Sequence, residues 1–350
     1  MKIVVLAGGL SMERAVSLVT GAGICRALRR RGHRAILVDL FLGLEELPAD
    51  PETLFDTEDG LCPDTRIEPT APDLEAVRWS RKDQSPRVFG PHVLELCQRA
   101  DLVFLGLHGQ DGEDGRVQAA LELLGVPYTG SGYLASGIAM DKAVAKRIMT
   151  AEGVPTPKWG VLDYRPEDVC RLAQELPMPC VIKCTTGGSS LGVFLPEDRE
   201  ALREALVKVR AFGGQVIWEE RICGRELTVA VLGDRALPAV ETTPAGKDFD
   251  YAAKYQTGGA REVCPALLTE AEAAAAGELA LQAHRALGLQ VYSRTDMMLD
   301  SSGKLWCLEA NSLPGMTPTS FVPQEAAAAG MSYAELCEEI VRLSLHIKRR

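Results

Sequence analysis

VYSRTDMMLDSSGKLWCLEAN, residues Val291–Asn311, reads as two strands and a tight turn. The apolar runs Val291–Leu299 and Leu305–Ala310 flank a polar Asp300–Lys304 segment. With Ser302-Gly303 as a two-residue loop, Ser301 opposes Lys304, Asp296 opposes Glu309 and Arg294 opposes Asn311. The strand period of two then sets all four of these functional side chains on one face. Opposed Cβ atoms lie about 4.5–5.5 Å apart, close enough for two carboxylates and an amide oxygen to share a hard divalent cation. An exposed face with cross-strand charge pairs is the blander reading. Asp and Asn are poor strand residues, and their convergence favours the cation. A three-residue loop would shift the register by one and weaken this argument.

Upstream of the hairpin the third unit is strand-rich, with predicted strands Leu227–Leu232 and Ala236–Val240. Its long helix follows Thr269, where Thr269-x-x-Glu272 fits a capping box and Gly288 marks the stop. Residues 244–265 form a long predicted loop, of the kind that is often functional. A second unit begins near Met140, with Asp141 capping a helix that ends at Gly153 and Pro155. The first forty residues alternate in the βαβ manner. Strand Ile3–Ala7 leads through Gly8-Gly9 into a helix capped by Ser11 and stopped at Gly32, followed by strand Ala35–Leu40. Further elements at Val93–Ala100, Leu102–Leu107 and Val117–Leu124 imply an open, mostly parallel sheet. The expected division is 1–139, 140–218 and 219–350. Residues 43–91 hold seven of the 20 prolines and read as a peripheral insertion with little regular structure.

At 350 residues the chain can build two or three domains with substantial cores. A hydrophobic share of 46% with 25% charged residues is ordinary for a soluble protein. The net charge of −10 argues against a nucleic-acid or anionic-membrane surface, while leaving room for a local basic pocket. The opening apolar run is too short for a signal peptide and no segment matches a membrane span, so a cytoplasmic location is expected. Ten cysteines with no CxxC pair read as reduced thiols, and five scattered histidines make a zinc site improbable.

Gly187-Gly188-Ser189-Ser190-Leu191-Gly192 follows a strand ending at Lys183. Small consecutive residues turn backbone N–H groups toward an anion, and the lysine adds charge, as a triphosphate needs. The pattern is not GxxxxGK[ST]; alone, it is also a common hairpin turn. With the hairpin carboxylates it points to ATP with magnesium. Lys142 sits in a helix first turn against the usual dipole preference, a small pointer to phosphate contact beside the solvated-lysine reading. Glu13 follows Ser11 in a first turn, where the dipole is a sufficient structural reason for an acid. His108 closes a strand at its carboxyl end, where open α/β sheets place ligands, though a lone histidine is more often hydrogen-bonded in a core. Ile217–Ile222 leading to Glu226 could line an adenine slot, or be an ordinary strand exit.

Together these segments resemble the D-alanine–D-alanine ligases of the ATP-grasp superfamily. The similarity rests on Gly8-Gly9 with Ser11–Leu18, His108-Gly109 with Gly112–Gly115, Tyr128–Gly132, Met140–Lys142 and Gly188–Ser190. It continues through Gly224–Glu226, Ala253–Tyr255, Arg294-x-Asp296 and Glu309–Thr317. Residues 43–91 are set outside it. The resemblance implies a three-domain α/β ATP-grasp architecture: a Rossmann-like parallel-sheet domain followed by two α+β subdomains enclosing ATP. It implies that Lys142 and Lys183 hold phosphates, Glu219 and Ile222 border adenine, and Glu226 binds ribose. Asp296, Glu309 and Asn311 would bind two magnesium ions, with manganese as an alternative. Glu13, Ser189 and Tyr255 would form one hydrogen-bonded set, Glu13 receiving the ammonium of the first D-alanine, with His108 nearby. Lys254 would reach the γ-phosphate. Arg294 and the Gly315 N–H would stabilise the acyl oxygen, and Ser320 and Phe321 would hold the second carboxylate. Cys184, Gly187 and Phe321 depart from the usual pattern, which leaves the loop geometry and the second subsite open.

The implied reaction joins two D-alanines through an acyl phosphate formed from ATP, for cell-wall precursor synthesis, in a homodimer. Residues 244–265 would close as a lid against hydrolysis. D-Serine or D-lactate as second substrate, or another ATP-grasp carboxylate–amine ligation, are the alternatives within this class. A Rossmann-type dehydrogenase lacks GxGxxG and leaves the carboxylate hairpin unexplained. A nucleotide-binding protein without turnover would not need the full set of charged residues.

Overall fold

The computed structural model describes residues 1–62, 72–186, 192–244 and 260–349. Its N-terminal sheet joins β1 (Lys2–Ala7), β2 (Arg34–Asp39) and β3 (Leu102–Leu105), parallel and in the order β2-β1-β3. Strand β1 is apolar and buried from Ile3 to Ala7, as a strand covered on both faces must be. Helix α1 (Arg14–Arg30) lies against it through Gly21, where an added Cβ would come within 2.5 Å of Ala7 and 2.6 Å of Leu37. Helices α2 (Leu74–Ser80), α3 (Val93–Arg99), α4 (Arg116–Leu123), α5 (Tyr133–Met140) and α6 (Lys142–Ala151) follow.

The central sheet is antiparallel: β4 (Trp159–Leu162), β5 (Cys180–Cys184), β6 (Val193–Phe194) and β7 (Val216–Glu220), ordered β4-β7-β5-β6. Helices α7 (Val169–Glu175) and α8 (Arg199–Lys208) pack on it around a small core that includes Ile182, Leu202 and Val216. The last sheet holds β8 (Gly224–Leu232), β9 (Arg235–Ala236), β10 (Val240–Pro244), β11 (Ala260–Val263), β12 (Tyr292–Asp300) and β13 (Leu305–Asn311). Its order is β11-β10-β8-β12-β13, with β9 beside β8. Helix α9 (Glu270–Ala286) starts at the predicted capping box, both halves of which are formed. Helices α10 (Phe321–Ala328) and α11 (Tyr333–Leu345) return to the N-terminal core, where Leu336, Ile340 and Val341 meet Ile3 and Ile24. Helices α5 and α6 pack with the last sheet instead, through Ala139, Ala145 and Met149. Beyond α11, the Arg349 guanidinium lies 3.8 Å above the Tyr128 ring.

Three local expectations change. Ser11 caps the turn that leads into α1 rather than the helix itself: its hydroxyl accepts from Glu13 N–H at 3.3 Å and donates to the His108 carbonyl at 2.8 Å, while Glu13 occupies the helix cap position without a side-chain cap bond. The strand expected at Ala236–Val240 is two short pieces, because Leu237 N–H pairs with Ala230 and Ala239 accepts from Ala266. Residues 43–91 are not merely peripheral. They contain a 3-10 turn at Pro51–Asp56 and helix α2, and Phe55 is fully buried in the N-terminal core. The Gly60 carbonyl accepts from Leu37 N–H at 2.8 Å, which ties the segment to the free edge of β2. Proline density signalled irregular backbone and concealed this apolar anchor. No helix among the described residues is long and apolar enough to cross a membrane.

Candidate active site

The β12–β13 hairpin brings its acids together by a different route from the one expected. Asp300 pairs with Lys304 across a three-residue loop, Ser301-Ser302-Gly303, in which Gly303 takes φ +83 and the Asp300 carboxylate accepts from Ser302 and Lys304 N–H. That loop sets Leu299 opposite Leu305 and Met297 opposite Cys307, one residue off the expected register. A β-bulge then leaves Leu308 unmatched and restores the pairs Asp296–Glu309 and Arg294–Asn311.

Around this hairpin the charges form a chain. Arg294 grips Asp296 with two bonds, Nε to Oδ1 at 3.0 Å and Nη2 to Oδ2 at 2.7 Å. Thr228 on the neighbouring strand β8 donates to the same carboxylate at 3.0 Å, and the Asn311 amide lies 3.4 Å from it. Glu309 pairs with Lys142 at 3.3 Å. Lys142 is the first residue of α6, fixed by the Asp141 cap and by its own N–H to the Thr185 carbonyl at 2.9 Å. Burial opposes its charge, but Glu309 outweighs burial and raises its pKa.

Lys183, on β5, meets Glu219, on β7, at 2.6 Å; Lys146, one turn beyond Lys142, reaches the same carboxylate at 2.5 Å. All three are buried, and Lys146 also donates to Thr156 at 2.6 Å. Burial alone would push Glu219 up, yet its two lysines hold its pKa below the ordinary range. Lys146 bears the other side of this arrangement: burial first, and then Lys183, lower its pKa against the pull of Glu219. Lys146 escaped the sequence reading. Its signal was the i, i+4 spacing from Lys142, which is common on any helix.

On the N-terminal side, an added Cβ at Gly109 would lie 3.1 Å from the Glu13 carboxylate, so Glu13 faces the loop after β3. His108 is buried; one ring nitrogen lies 3.2 Å from Thr20 Oγ1, and the other 3.4 Å from Glu113 and 3.2 Å from the Leu313 carbonyl. Burial disfavours its charged form, but Glu113 and Glu13 outweigh this and raise its pKa. Glu113 is raised in turn, by burial first and then by Glu13, against the pull of His108 and Arg294. Glu113 is a second residue to which the sequence assigns no role, although it lies inside the Gly112–Gly115 motif of the resemblance. The field of Arg294 links this cluster to the hairpin.

The loop after β13 completes the enclosure. Ser320 accepts from Thr317 N–H at 3.1 Å, and a Cβ at Gly315 would meet its hydroxyl at 2.8 Å, so only glycine fits without a shift. Phe321 lies under the Arg294 guanidinium, 5.7 Å from the ring centre. Ile222 is half-buried in the connection from β7 to β8, and Glu226 on β8 stands opposite Met298. Ser189, Lys254 and Tyr255 lie outside the described residues, as does most of the expected lid; its far end, β11, pairs back onto β10. Arg294, Asp296 and Asn311 are thus gathered with Glu309 and Lys142, Phe321 lies against Arg294, and Gly315 and Ser320 touch each other. Lys183 and Glu219 meet across the central sheet.

Two family models match the chain: "D-ala D-ala ligase N-terminus" over residues 2–131 and "D-ala D-ala ligase C-terminus" over 148–342. The first spans residues 43–91, which the sequence reading had placed outside the resemblance. A relative from Pediococcus pentosaceus, named D-alanine–D-alanine ligase, is 43% identical over 343 residues, 97% of each chain. One from Lacticaseibacillus casei with the same name is 40% identical over 99% of this chain and 96% of its own. Among solved structures, a D-alanine–D-alanine ligase from Bacillus anthracis, also solved with ATP, matches with TM-score 0.73 and 31% identity over 99% of this chain and 97% of that one. The VanG D-Ala:D-Ser ligase from Enterococcus faecalis matches with TM-score 0.75 and 26% identity over 98% and 99%.

A parallel N-terminal sheet followed by two antiparallel ones, with charged side chains converging from the latter two, defines an ATP-grasp protein. Within that class the chain belongs to the D-alanine–D-alanine ligase family.

Proposed function

We propose that this chain joins two D-alanine molecules into D-alanyl-D-alanine, consuming ATP through an acyl-phosphate intermediate in the synthesis of peptidoglycan precursors. The observation that carries the reading is the chain of buried charges, Lys183–Glu219–Lys146 and Lys142–Glu309 beside Asp296 and Arg294. The naming of relatives that match over nearly the whole chain agrees with it.

A carboxylate resists attack by an amine at neutral pH, so one D-alanine must first be activated. Its carboxylate oxygen attacks the γ-phosphorus, forming the acyl phosphate and releasing ADP. Lys142 and Lys183 neutralise the phosphates, with Lys254 as a further partner of the γ-phosphate. Glu13 receives the first ammonium, in a set with Ser189 and Tyr255 and with His108 alongside. Glu219 and Ile222 border the adenine, and Glu226 the ribose. The second D-alanine, held at its carboxylate by Ser320 and Phe321, attacks as a free amine. Arg294 and the Gly315 N–H stabilise the tetrahedral oxyanion, an effect of a few kcal/mol per donor, and phosphate leaves.

Asp296, Glu309 and Asn311 offer an all-oxygen donor set of two carboxylates and an amide, which fits a hard cation. Magnesium held there, or manganese in its place, would supply charge neutralisation on the transferred group. A cytoplasmic homodimer is part of the same reading and rests on the family resemblance. The second reading is D-serine as the second substrate, favoured by the close structural match to a D-Ala:D-Ser ligase.

The deciding experiment measures ADP release with D-alanine alone, then with D-serine or D-lactate added, and weighs the products. D-Alanyl-D-alanine from D-alanine alone supports the first reading. ADP release only on adding D-serine, with a D-Ala-D-Ser product, supports the second. Absence of release in every mixture defeats both.

A further inference from the structure

Cys25 and Cys62 are brought close by the 43–91 segment, each sulfur lying 3.7 Å from the Gly60 carbonyl. Cys25 is buried on α1, its Sγ 3.4 Å from the Ala35 carbonyl and 3.7 Å from that of Gly60. Cys62 is half-buried on the loop that follows Phe55, and its Sγ also lies 3.7 Å from the Gly60 carbonyl. The two thiols thus converge on one oxygen.

The loop that carries Cys62 is firmly held. Gly60 accepts from Leu37, Arg29 bonds the carbonyls of Ala35 at 2.8 Å and Glu58 at 3.2 Å, and a Cβ at Gly60 would lie 3.1 Å from the Cys25 sulfur. Cys25 lowers the Cys62 thiol, assisted by the charges of Arg26 and Arg29, while the same neighbour and burial push Cys25 up, so Cys62 is the sulfur that ionises first. Burial instead pushes Cys97, Cys307 and Cys337 up to about 12. A partly accessible, thiolate-prone sulfur beside a buried partner is the arrangement that disulfide exchange requires.

We propose that Cys25 and Cys62 form a thiol–disulfide exchange couple whose reactant is a small disulfide such as glutathione disulfide. The Cys62 thiolate attacks one sulfur of the reactant, forming a mixed disulfide and expelling one glutathione thiolate. The Cys25 sulfur then attacks the Cys62 sulfur, and the second glutathione thiolate leaves. Two protein thiols are oxidised to one disulfide, the reactant is reduced to two thiols, and the two cysteine protons end on them. The product bond would pin the 57–62 loop to α1.

The test treats the full native chain with glutathione disulfide, quenches in acid and maps the peptides. A Cys25–Cys62 linked peptide is expected to appear first, with loss of two hydrogen masses and of two of the ten thiols, reversed by dithiothreitol. Cys25→Ser should stop at glutathionylated Cys62, and Cys62→Ser should leave Cys25 unmodified. Should Cys25→Ser not fold, Cys62→Ser at its half-exposed site carries the test alone. Mixed disulfides on the exposed Cys170 and Cys223, with Cys25 and Cys62 still reduced, would overturn the proposal. None of the residues assigned to ligation takes part, so that failure leaves the proposed reaction untouched.

Discussion

At the scale of single residues, the site consists of carboxylates already committed to cations. Replacing Glu309 by Gln keeps its shape and removes the charge that faces Lys142 and completes the oxygen donor set. A fall in kcat of at least about a hundredfold is expected, on the scale of losing one electrostatic group at a reacting centre. Near-normal ADP release at ordinary magnesium concentration would contradict the assignment. Lys146 makes a subtler case, because it touches Glu219 rather than any expected position of substrate. Lys146→Met leaves Glu219 with Lys183 alone, so the stability loss should fall short of the ~3–5 kcal/mol seen when a buried ion loses its only partner. Its diagnostic is a KM for ATP that rises more than kcat falls; unchanged kinetics with lowered stability would reduce Lys146 to a packing role.

At the scale of elements, the hairpin shows how far the sequence could be read. Two strands, their shared face and the pairing of Asp296 with Glu309 were legible, because alternation and turn residues are local signals. The loop length was not, and neither was the bulge at Leu308, since a bulge is set by packing against both neighbouring elements. The two departures cancel, so the expected pairs form by an unexpected path. Ser11 was legible as a turn-capping acceptor for Glu13 N–H, but the donation of its hydroxyl to the His108 carbonyl, 97 residues away, was not. Long-range partners of that kind leave no trace in a local pattern. Helix α9 and strand β12 supply a pH test at this scale. His284 on α9 bonds Ser293 on β12 at 2.7 Å, and burial lowers its pKa from 6.5 to about 4. The unfolded chain therefore binds this proton where the folded one does not. The contribution is complete above pH 6.5 and is lost as pH falls toward 4, by up to about 3 kcal/mol. Denaturant titrations across that window should show the slope, and His284→Asn should flatten it; an unaltered slope would assign the acid sensitivity to other groups.

At the scale of the whole molecule, three cores share one chain, and the charged row lies where the central and last sheets face each other. A nucleotide that engages Lys183 from one sheet and Lys142 beside the other would bind only the folded arrangement. At a hundredfold excess over Kd this adds roughly 2.7 kcal/mol to stability. Calorimetry should therefore show Tm rising with an unreactive ATP analogue and magnesium, and staying put with adenosine. Equal shifts with both would argue against phosphate contact. The parallel N-terminal sheet and the strand-rich third unit were readable from the alternation of apolar runs and the three-domain plan only through the family resemblance, while the allegiance of α5 and α6 to the last sheet was not readable, because amphipathic helices do not record which sheet they cover.

The pairing of Lys142 with Glu309 and of Lys183 with Glu219 has a consequence for selectivity. Each lysine already possesses a tethered competitor that never diffuses away. A stray inorganic phosphate or sulfate arriving singly would have to displace a carboxylate present at a very high local concentration, and would gain little. A polyphosphate tail displaces both at once and brings its own counter-ions. The paired carboxylates thereby weigh against small single anions in favour of a polyphosphate tail.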